Sequence, residues 1–231
     1  MTQDNTLDKE DYMVNLFNKN IKCPVCESHF SAPSVKAKTY RIDSKDSDFF
    51  IRYRISNPYF YEVLLCPVCG YAALRTDFDK IKKYQIKLIQ ERICSKWIPR
   101  NFALPFDEKT AIERFKLALL NTILMEGPSS TKAIITLRIA WMYRLLNDVE
   151  NEKTFLSQAL KAFNDTYTNE YLPVYGLDRF SIMYLIGELN RLLGDNETAL
   201  KCYSNSLTSI GSPDKIKQLA RNGKDKIKGE L

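Results

Sequence analysis

The chain has 231 residues, of which 45% are hydrophobic and 27% are charged, and its formal net charge is +6. This length suffices for one large or two modest domains, and the composition excludes a disordered or collagen-like chain. No apolar run approaches the roughly 18 residues that a membrane-spanning helix requires, so we expect no membrane partner.

The first part of the chain, residues 1–20, is polar and acidic and predicts a loose N-terminal tail. It opens with MTQDNTLDKEDYM, which lacks the apolar region and the cleavage site of a secretory signal. We therefore expect a cytoplasmic protein. In that reducing environment, cysteines are free thiols or metal ligands rather than disulfides.

Two matching cysteine pairs follow, CPVC at residues 23–26 and CPVCG at residues 66–70. A Cys-x-x-Cys pair on a tight turn points two sulfur atoms at one position, and two such pairs supply the four ligands of a tetrahedral zinc site. An all-thiolate centre leaves no open position for water, so it stabilises structure rather than carrying out chemistry. The sequence thus predicts one structural Zn²⁺, bound by Cys23, Cys26, Cys66 and Cys69.

Other interpretations of the cysteines are weaker. A redox-active pair would require a thioredoxin-like βαβ pattern, which surrounds neither pair. The 39 residues between the pairs exceed the usual finger spacing, so this insert must form strands that bring the pairs together. His29 is the single histidine and can replace one thiolate as a ligand. Cys94 and Cys202 have no paired neighbours and are expected to be small core residues.

The insert between the pairs predicts short strands. Residues 35–42 alternate between polar and apolar types, and residues 61–65 lead into the second pair, so both segments predict strands. Residues 43–48 and 57–58 predict turns. Aromatic residues beside three arginines can either stack on unpaired bases or form the core of a small metal-binding module. These residues are Phe49, Phe50, Tyr53, Tyr59, Phe60, Tyr61, Arg41, Arg52 and Arg54.

A basic helix is predicted after the second pair, over residues 76–98, following Gly70, where a positive φ angle is expected. Its basic side is either a solvated face or a surface for an acidic partner such as nucleic acid. Pro99 and Pro105 cannot continue a helix, so residues 76–105 are predicted to be a basic connecting helix and a proline-bounded linker. The lysines of the basic side are Lys80, Lys82, Lys83 and Lys87.

Everything from residue 106 to residue 231 predicts one helical domain. Its first helix is expected over residues 108–126, with Asp107 as N-cap and Gly127 at the stop. The last helix, from about Ser212, is rich in lysine and suits a solubilising cap. The apolar face predicted for the first helix consists of Ile112, Phe115, Leu119 and Ile123.

Two segments of this domain align with each other as repeats of about 34 residues that begin at Ala133 and Phe180. Small residues recur where paired helices approach closely, a pattern that resembles the tetratricopeptide repeat. The first copy departs from the pattern at Glu152, and 13 residues separate the copies. The small residues at the repeat positions are Ala140, Ala159, Gly187, Ala199 and Ser206.

With both halves in view, the chain resembles a bacterial family of unknown function that joins a two-knuckle zinc ribbon to tetratricopeptide-like helices. The predicted fold is α+β, mainly α: a small N-terminal four-cysteine zinc ribbon with short β-strands over residues 21–75, then an α-helical tetratricopeptide-like hairpin stack. Glu27 stands where the first knuckle more usually has glycine. The resemblance implies an architecture but does not indicate an activity. The matching blocks are CPVC at 23–26, DSDFF at 46–50, NPYFYEVLLCPVCGYAAL at 57–74, LRIAWMYR at 137–144 and YLIGELNRLLG at 184–194.

Among function classes, a non-enzymatic adaptor or scaffold comes first, because tetratricopeptide stacks leave a concave face for an extended protein or peptide segment. Arg144 and Arg191 recur at one repeat position. They can either bind carboxylates of that partner or stabilise the C-terminal ends of their helices. The residues expected to bind a partner on this face are Trp141, Arg144, Tyr184, Glu188 and Arg191.

The alternative is a nucleic-acid-associated factor that uses the zinc ribbon and the basic helix, which predicts salt-dependent binding. An enzyme is disfavoured by the single histidine, the closed metal site, and the lack of a glycine-rich phosphate loop or a nucleophile elbow. We therefore expect no enzymatic activity.

Overall fold

The structure, a computed structural model, describes residues 14–37 and 39–229 of the chain. It is mainly helical, with short antiparallel strand pairs in the N-terminal part, which confirms the predicted fold class. The strands are β1 (Leu16–Lys22), β2 (His29–Val35), β3 (Ile42–Lys45), β4 (Ile51–Tyr53), β5 (Val63–Leu65) and β6 (Ala72–Leu74). The α-helices are α1 (Lys83–Arg92), α2 (Glu108–Leu124), α3 (Ser129–Leu145), α4 (Val149–Asn169), α5 (Arg179–Leu192), α6 (Asn196–Thr208) and α7 (Asp214–Gly229).

The described residues divide into two compact units. The first contains the residues up to Lys45 together with Ile51–Glu126, and the second contains Asp46–Phe50 together with the residues from Gly127 onward. Helix α2, which the sequence assigns to the helical domain, lies in the first unit. Independent folding on either side of the proline-bounded linker stays a prediction.

The first hairpin differs from the predicted loose tail. Strand β1 pairs antiparallel with β2, and Leu16 lies opposite Val35. Residues 16–20 therefore belong to a strand, while residues 1–13 of the predicted tail lie outside the described residues. The strand is not visible in the sequence because LFNKNIK exposes polar side chains on both faces and lacks alternation.

The second hairpin also departs from the expected bounds. The strand predicted at residues 35–42 is wrong, because β2 ends at Val35 and a turn follows in which Thr39 N donates to Lys36 O. Strand β3 then pairs with β4, and Asp46–Phe50 connects them. Every residue of β3 is exposed, so its sequence carries no burial signal from which the strand can be predicted.

The basic helix predicted over residues 76–98 is shorter and interrupted. Short 3₁₀ helices at Phe78–Lys80 and Cys94–Lys96 flank α1. The start of α1 is fixed by Gln85, whose Oε1 accepts a hydrogen bond from Lys82 N at 3.0 Å. The apolar side of α1 packs into the core of the first unit rather than bridging two domains. The buried residues of this core are Cys23, Val25, Ala32, Leu64, Cys66, Cys69, Tyr71, Ala73, Phe78, Ile89, Ile93 and Met125.

Helix α2 begins as predicted, since Asp107 Oδ1 accepts a hydrogen bond from Thr110 N at 2.8 Å. The predicted apolar face is partly wrong, because Ile123 is 51% exposed. The buried stripe instead continues through Ala118 and Thr122, and the Thr122 hydroxyl donates to Ala118 O within the helix. A polar side chain satisfied in this way can occupy a buried position that the hydrophobic pattern assigns to an isoleucine.

The five helices of the second unit, α3 to α7, pack against one another in chain order. Two glycines permit close approach. A Cβ atom added at Gly187 would lie 2.8 Å from Cys202 Cβ, and one added at Gly223 would lie 2.5 Å from Tyr203 Cζ. The ring of Tyr203 is thereby enclosed between α5 and α7. The small residues Ala140, Ala159, Ala199 and Ser206 are all buried.

None of the helices within residues 14–37 and 39–229 combines the length and apolar character that a bilayer crossing requires.

Candidate functional site

The two cysteine pairs lie in two turns of the same construction. The first turn joins β1 to β2, where Cys23 N donates to Ser28 O and Glu27 N donates to Cys23 O, both at 2.9 Å. The second joins β5 to β6, where Cys66 N donates to Tyr71 O at 2.9 Å and Gly70 N donates to Cys66 O at 3.0 Å. Each turn therefore presents its two sulfur atoms from one side of a hairpin.

The fifth residue of each turn has a positive φ angle, 60° at Glu27 and 76° at Gly70. Gly70 confirms the expected glycine conformation. The departure at Glu27 thus places a side chain in a left-handed conformation, which costs about 1–2 kcal/mol for a residue with a Cβ atom. At Gly70 packing disfavours a side chain in addition to the positive φ angle, because a Cβ atom would lie 2.4 Å from the ring of Trp97.

The insert brings the four predicted sulfur ligands together. Cys23 Sγ lies 3.6 Å from Cys69 Sγ, Cys26 Sγ lies 3.6 Å from Cys66 Sγ, and all four sulfurs lie within 4.8 Å of one another. In a tetrahedral zinc site with Zn–S bonds of about 2.3 Å, the sulfurs are about 3.8 Å apart. The four cysteines therefore form a cluster whose size and donor type are compatible with a metal site.

Two contacts from the helical segments of the first unit hold these turns in place. Gln90 Nε2, on α1, donates to Val25 O in the first turn at 3.3 Å. Trp97 Nε1 donates to Pro67 O in the second turn at 2.9 Å. Both knuckles are thus fixed by residues outside the hairpins, as the ligand turns of metal sites commonly are.

The thiols perturb one another strongly. The hydrogen bond to Cys66 and burial raise the pKa of Cys23 to about 12, and hydrogen bonds from Cys23 and Cys69 hold the pKa of Cys66 well below its ordinary value. The hydrogen bond to Cys23 also raises the pKa of Cys69. In this arrangement one thiolate is stabilised by neighbouring thiol protons. A divalent cation in the same position would stabilise all four thiolates.

The remaining candidate ligands lie outside the cluster. His29 is exposed at the start of β2 and is not part of the group of four sulfurs. Cys94 packs, half-buried, against the core of the first unit, and Cys202 is half-buried on α6. Neither cysteine is fully buried, so the expectation that both are core residues is met only in part.

The five residues predicted to bind a partner lie in the second unit, and all of them take part in one network with the segment Asp46–Phe50. Arg144 forms the centre of its first half. Its Nη2 and Nη1 donate to the two carboxylate oxygens of Asp48 at 2.8 and 3.1 Å, and Nη1 also donates to Asp46 at 3.0 Å. Its Nε donates to Glu152 at 2.7 Å. Burial lowers the pKa of Arg144, but Asp48 and Glu152 outweigh burial and raise it.

Trp141 completes the binding of the same aspartate. Its indole Nε1 donates to Asp48 Oδ2 at 2.9 Å, and its ring stacks on Phe50 with the ring centroids 5.0 Å apart. Phe50 is fully buried. The carboxylate and the aromatic ring of the segment are thus bound by neighbouring residues of α3.

The second half of the network is centred on Glu188, which is fully buried. Its carboxylate accepts hydrogen bonds from Ser47 Oγ at 2.6 Å, from Arg191 Nη2 at 2.7 Å and from the Tyr203 hydroxyl. Burial raises the pKa of Glu188, but these hydrogen bonds outweigh burial and lower it. Tyr184 donates from its hydroxyl to Ser47 O at 2.9 Å, so both the side chain and the backbone of Ser47 are bound.

A comparison with protein families gives one match over most of the chain. The model of a family described as an uncharacterized protein conserved in bacteria (DUF2225) matches residues 16–227. The chain belongs to this family.

One relative of this DUF2225 chain is a protein of Borreliella burgdorferi described as an uncharacterized protein, which is 25% identical over 164 residues. The alignment covers 62% of this chain and only 58% of that protein. No solved structure matches the chain.

The sequence did not predict that the segment Asp46–Phe50 contacts the residues proposed to bind a partner. Asp46 and Asp48 lie in a stretch that predicts only a turn, and the repeat positions of Tyr203 and Glu152 do not indicate their ion-pair and hydrogen-bond partners. Two signals are nevertheless present: DSDFF is one of the blocks that the family resemblance rests on, and Glu152 is the one departure noted in the first repeat copy. That departure has a physical reason, because Glu152 pairs with Arg144.

The residues proposed for nucleic acid differ in exposure. Among the aromatic residues of the insert, Phe50, Tyr59 and Tyr61 are buried, so these rings form core and cannot stack on bases. The four lysines of the basic side are all exposed, and Lys80 pairs with Asp77 at 3.0 Å.

Proposed function

We propose that this DUF2225 protein is a zinc-binding adaptor whose helical unit binds acidic and aromatic segments of a partner protein. One observation carries the proposal: the predicted partner-binding face already binds a segment of that chemistry, Asp46–Phe50. A partner with the same pattern of carboxylates and aromatic rings would compete with this segment for the face.

The choice of zinc follows from the donor set. Four sulfur atoms without an oxygen or nitrogen ligand favour zinc or an iron–sulfur cluster over magnesium or calcium, and two knuckles in separate hairpins are typical of structural zinc. Such an ion would stabilise the first unit and take no part in catalysis. We propose that the protein has no enzymatic activity.

The helical unit supports the tetratricopeptide-like part of the proposal. Small residues are buried at the repeat positions on both helix pairs, and Gly187 allows α5 to approach Cys202 on α6 closely. In repeats of this kind the first helix of each pair lines the concave face. Helices α3 and α5 are these first helices, and they carry all five proposed binding residues.

The partner's chemistry follows from the contacts that the segment makes. Arg144 forms a fork with a carboxylate, which is the geometry in which arginine binds aspartate most strongly. Trp141 supplies both a donor to that carboxylate and a stacking surface for the following aromatic ring. The face is therefore suited to an aspartate followed within two residues by an aromatic side chain.

Competition by a peptide tests the adaptor proposal. A fluorescent peptide with the sequence of residues 43–53 is titrated into the full-length chain and into an Asp46→Ala, Asp48→Ala double variant, whose own segment has lost its carboxylates. We expect the double variant to bind the peptide at least about tenfold more tightly, because its face is no longer occupied by an internal competitor. Adding Arg144→Ala should abolish this binding.

The matched control is the same peptide with both aspartates replaced by asparagine. Circular dichroism of each variant shows whether the helices are retained. Equal binding of the two peptides, or unchanged binding after Arg144→Ala, would contradict an adaptor face that recognises carboxylates.

The exposed lysines of the basic side favour a second candidate, a nucleic-acid-associated factor. Binding of single-stranded DNA or RNA should then weaken with rising salt, and Lys83→Glu with Lys87→Glu should reduce the slope of that dependence. Arg144→Ala serves as the control, because it removes a positive charge from the second unit and leaves the lysines of the basic side unchanged. An interaction that depends on these lysines and not on Arg144 would favour this candidate over the adaptor.

A further inference from the structure

The first unit contains a cavity of about 290 Å³ that is separate from the four cysteines. It lies between β2, the segment before α2, and α2 itself. Its volume is near the lower end of small-molecule pockets, which run from about 300 to 1,000 Å³. Its wall is largely apolar, with three phenylalanines and two leucines: Phe30, Phe102, Phe106, Leu65 and Leu104.

One charged side chain of this wall is buried. Arg114, on α2, is 7% exposed and lines the cavity. Its Nη2 donates to Val63 O at 2.7 Å, whereas its Nε has no hydrogen-bond partner among the described residues. The guanidinium lies 4.6 Å from the ring centroid of Phe106 and 5.4 Å from that of Phe102.

No carboxylate pairs with Arg114 in the described part of the chain. A buried charge is stable only when it is paired or fully hydrogen-bonded, and two aromatic faces with one carbonyl compensate it in part. Burial, together with the positive charge of Arg75 nearby, lowers the pKa of Arg114 to about 10. Arg75 itself donates to the carbonyls of Pro33 and Tyr61.

A second arginine lies at the same cavity. Arg100 is exposed and also lines it, and its contact with Glu113 is long, at 3.8 Å between exposed side chains. The cavity thus combines an apolar wall with a buried cation at one position and an exposed cation at another. This is the composition of a pocket in which a few polar groups orient an apolar ligand.

We propose that this cavity binds a small organic carboxylate, with its charged head at Arg114 and its planar apolar body among Phe30, Phe102 and Phe106. A carboxylate matches the planar donor fork of arginine. A phosphate carries up to two negative charges, of which one buried guanidinium neutralises only one, so a singly charged carboxylate matches Arg114 better. The ligand provides the counter-charge that Arg114 does not obtain from the described residues.

The proposal is tested with defined probes on the full-length protein. Benzoate and 3-phenylpropionate are compared with their uncharged amides and with inorganic phosphate and phenyl phosphate, using ¹H–¹⁵N chemical-shift changes to locate and quantify binding. We expect the carboxylates to shift resonances of β2 and α2, and to bind at least about tenfold more tightly than the amides. Phenyl phosphate should bind more weakly than the carboxylates.

Two arginine variants separate a ligand-binding role from a structural one. Arg114→Gln should lower carboxylate affinity at least about tenfold and leave the weak binding of the amides unchanged. Arg75→Gln is the matched control, since Arg75 is partly buried in the same unit and donates to carbonyls but does not line the cavity. Arg100→Gln, at an exposed position, should reduce the affinity by a smaller factor and keeps the test decisive if Arg114→Gln does not fold.

Four results would overturn the proposal. The first three are no shift with either carboxylate up to its solubility limit, equal affinity for carboxylates and amides, and equal loss of affinity in the Arg75 and Arg114 variants. Tighter binding of phenyl phosphate than of benzoate would replace the carboxylate by a phosphate ester and would also overturn it.

Discussion

Arg144 and Asp48 are 96 residues apart in the chain and form a two-point ion pair, with N–O distances of 2.8 and 3.1 Å. Asp48 is 1% exposed, so the pair is shielded from water. The arginine is on α3 and the aspartate is in the five-residue segment between β3 and β4. This pair and the Trp141 hydrogen bond to the same carboxylate attach the segment to the helices of the second unit.

Replacing Asp48 by alanine should destabilise the second unit by about 3–5 kcal/mol, because it leaves the buried Arg144 charge without its main partner. The matched control is Asp43→Ala, which breaks the pair with Arg54, whose side chains are 46% and 68% exposed. Exposed pairs contribute little, so this loss should be below about 1 kcal/mol. Urea unfolding followed by circular dichroism measures both, and equal losses would contradict the role of the buried pair.

Protonation of Glu188 should lower the stability of the second unit at acidic pH. Burial opposes ionisation, but the hydrogen bonds from Arg191, Ser47 and Tyr203 outweigh it and hold the pKa of Glu188 below its ordinary value of 4.5. The unfolded chain then binds the proton first, so the contribution is complete above pH 4.5 and is lost as the pH falls through the folded pKa. Unfolding curves from pH 7 down to pH 3 should show this loss.

The matched variants for this pH dependence are Glu188→Gln and Tyr203→Phe. The first should remove this acid-dependent component. The second removes one of the hydrogen bonds that lower the pKa of Glu188, so the folded pKa lies closer to the unfolded one and the total loss of stability in acid should be smaller than in the native chain. If the glutamine variant loses stability over the same range as the native chain, another carboxyl group is responsible.

The metal content should depend on the four clustered cysteines alone. The native chain should contain one zinc ion, and Cys66→Ser should lose most of it, because the site and the local fold form together. Cys94→Ser is the control, since Cys94 packs against the same core but lies outside the cluster. Elemental analysis in reducing buffer decides the matter, and a Cys66→Ser protein with full metal content would refute the site.

Gly70 should be more sensitive to substitution than Gly194, although both have positive φ angles, 76° and 91°. A side chain at Gly194 would meet nothing within 4 Å, so Gly194→Ala should cost only the left-handed conformation, about 1–2 kcal/mol. Gly70→Ala should cost about 1–3 kcal/mol more, because its Cβ atom overlaps the ring of Trp97. Thermal unfolding compares the two variants, and similar losses would show that Trp97 moves away freely.

The features that local chemistry determines could be predicted from the sequence. The two CPVC turns, the N-cap at Asp107 and the small residues between paired helices each follow from a few neighbouring residues. The four sulfur ligands were predicted for this reason. The residues of the helical face were also assigned to one surface by their repeat positions, since Trp141 and Arg144 lie one turn apart on α3.

The features that depend on long-range contacts could not be predicted in this way. Strand β1 is stabilised by pairing with β2 and not by a buried face, so its sequence has no periodic signal. Asp48 is buried only because Arg144 and Trp141 bind it. A sequence of the form DSDFF indicates an exposed turn until those distant partners are known.

The segment Asp46–Phe50 is synthesised long before the helices that bind it. Ser47 is translated 141 residues before Glu188, to which it donates a hydrogen bond. At about 5–20 residues per second this interval lasts roughly 7–28 s. All four clustered cysteines have been translated by residue 69, so the metal cluster can assemble early in that interval. Phe49 and Phe50 meanwhile lack the rings of Tyr184 and Trp141 that they contact in the folded chain, so both stay exposed to solvent for most of this interval.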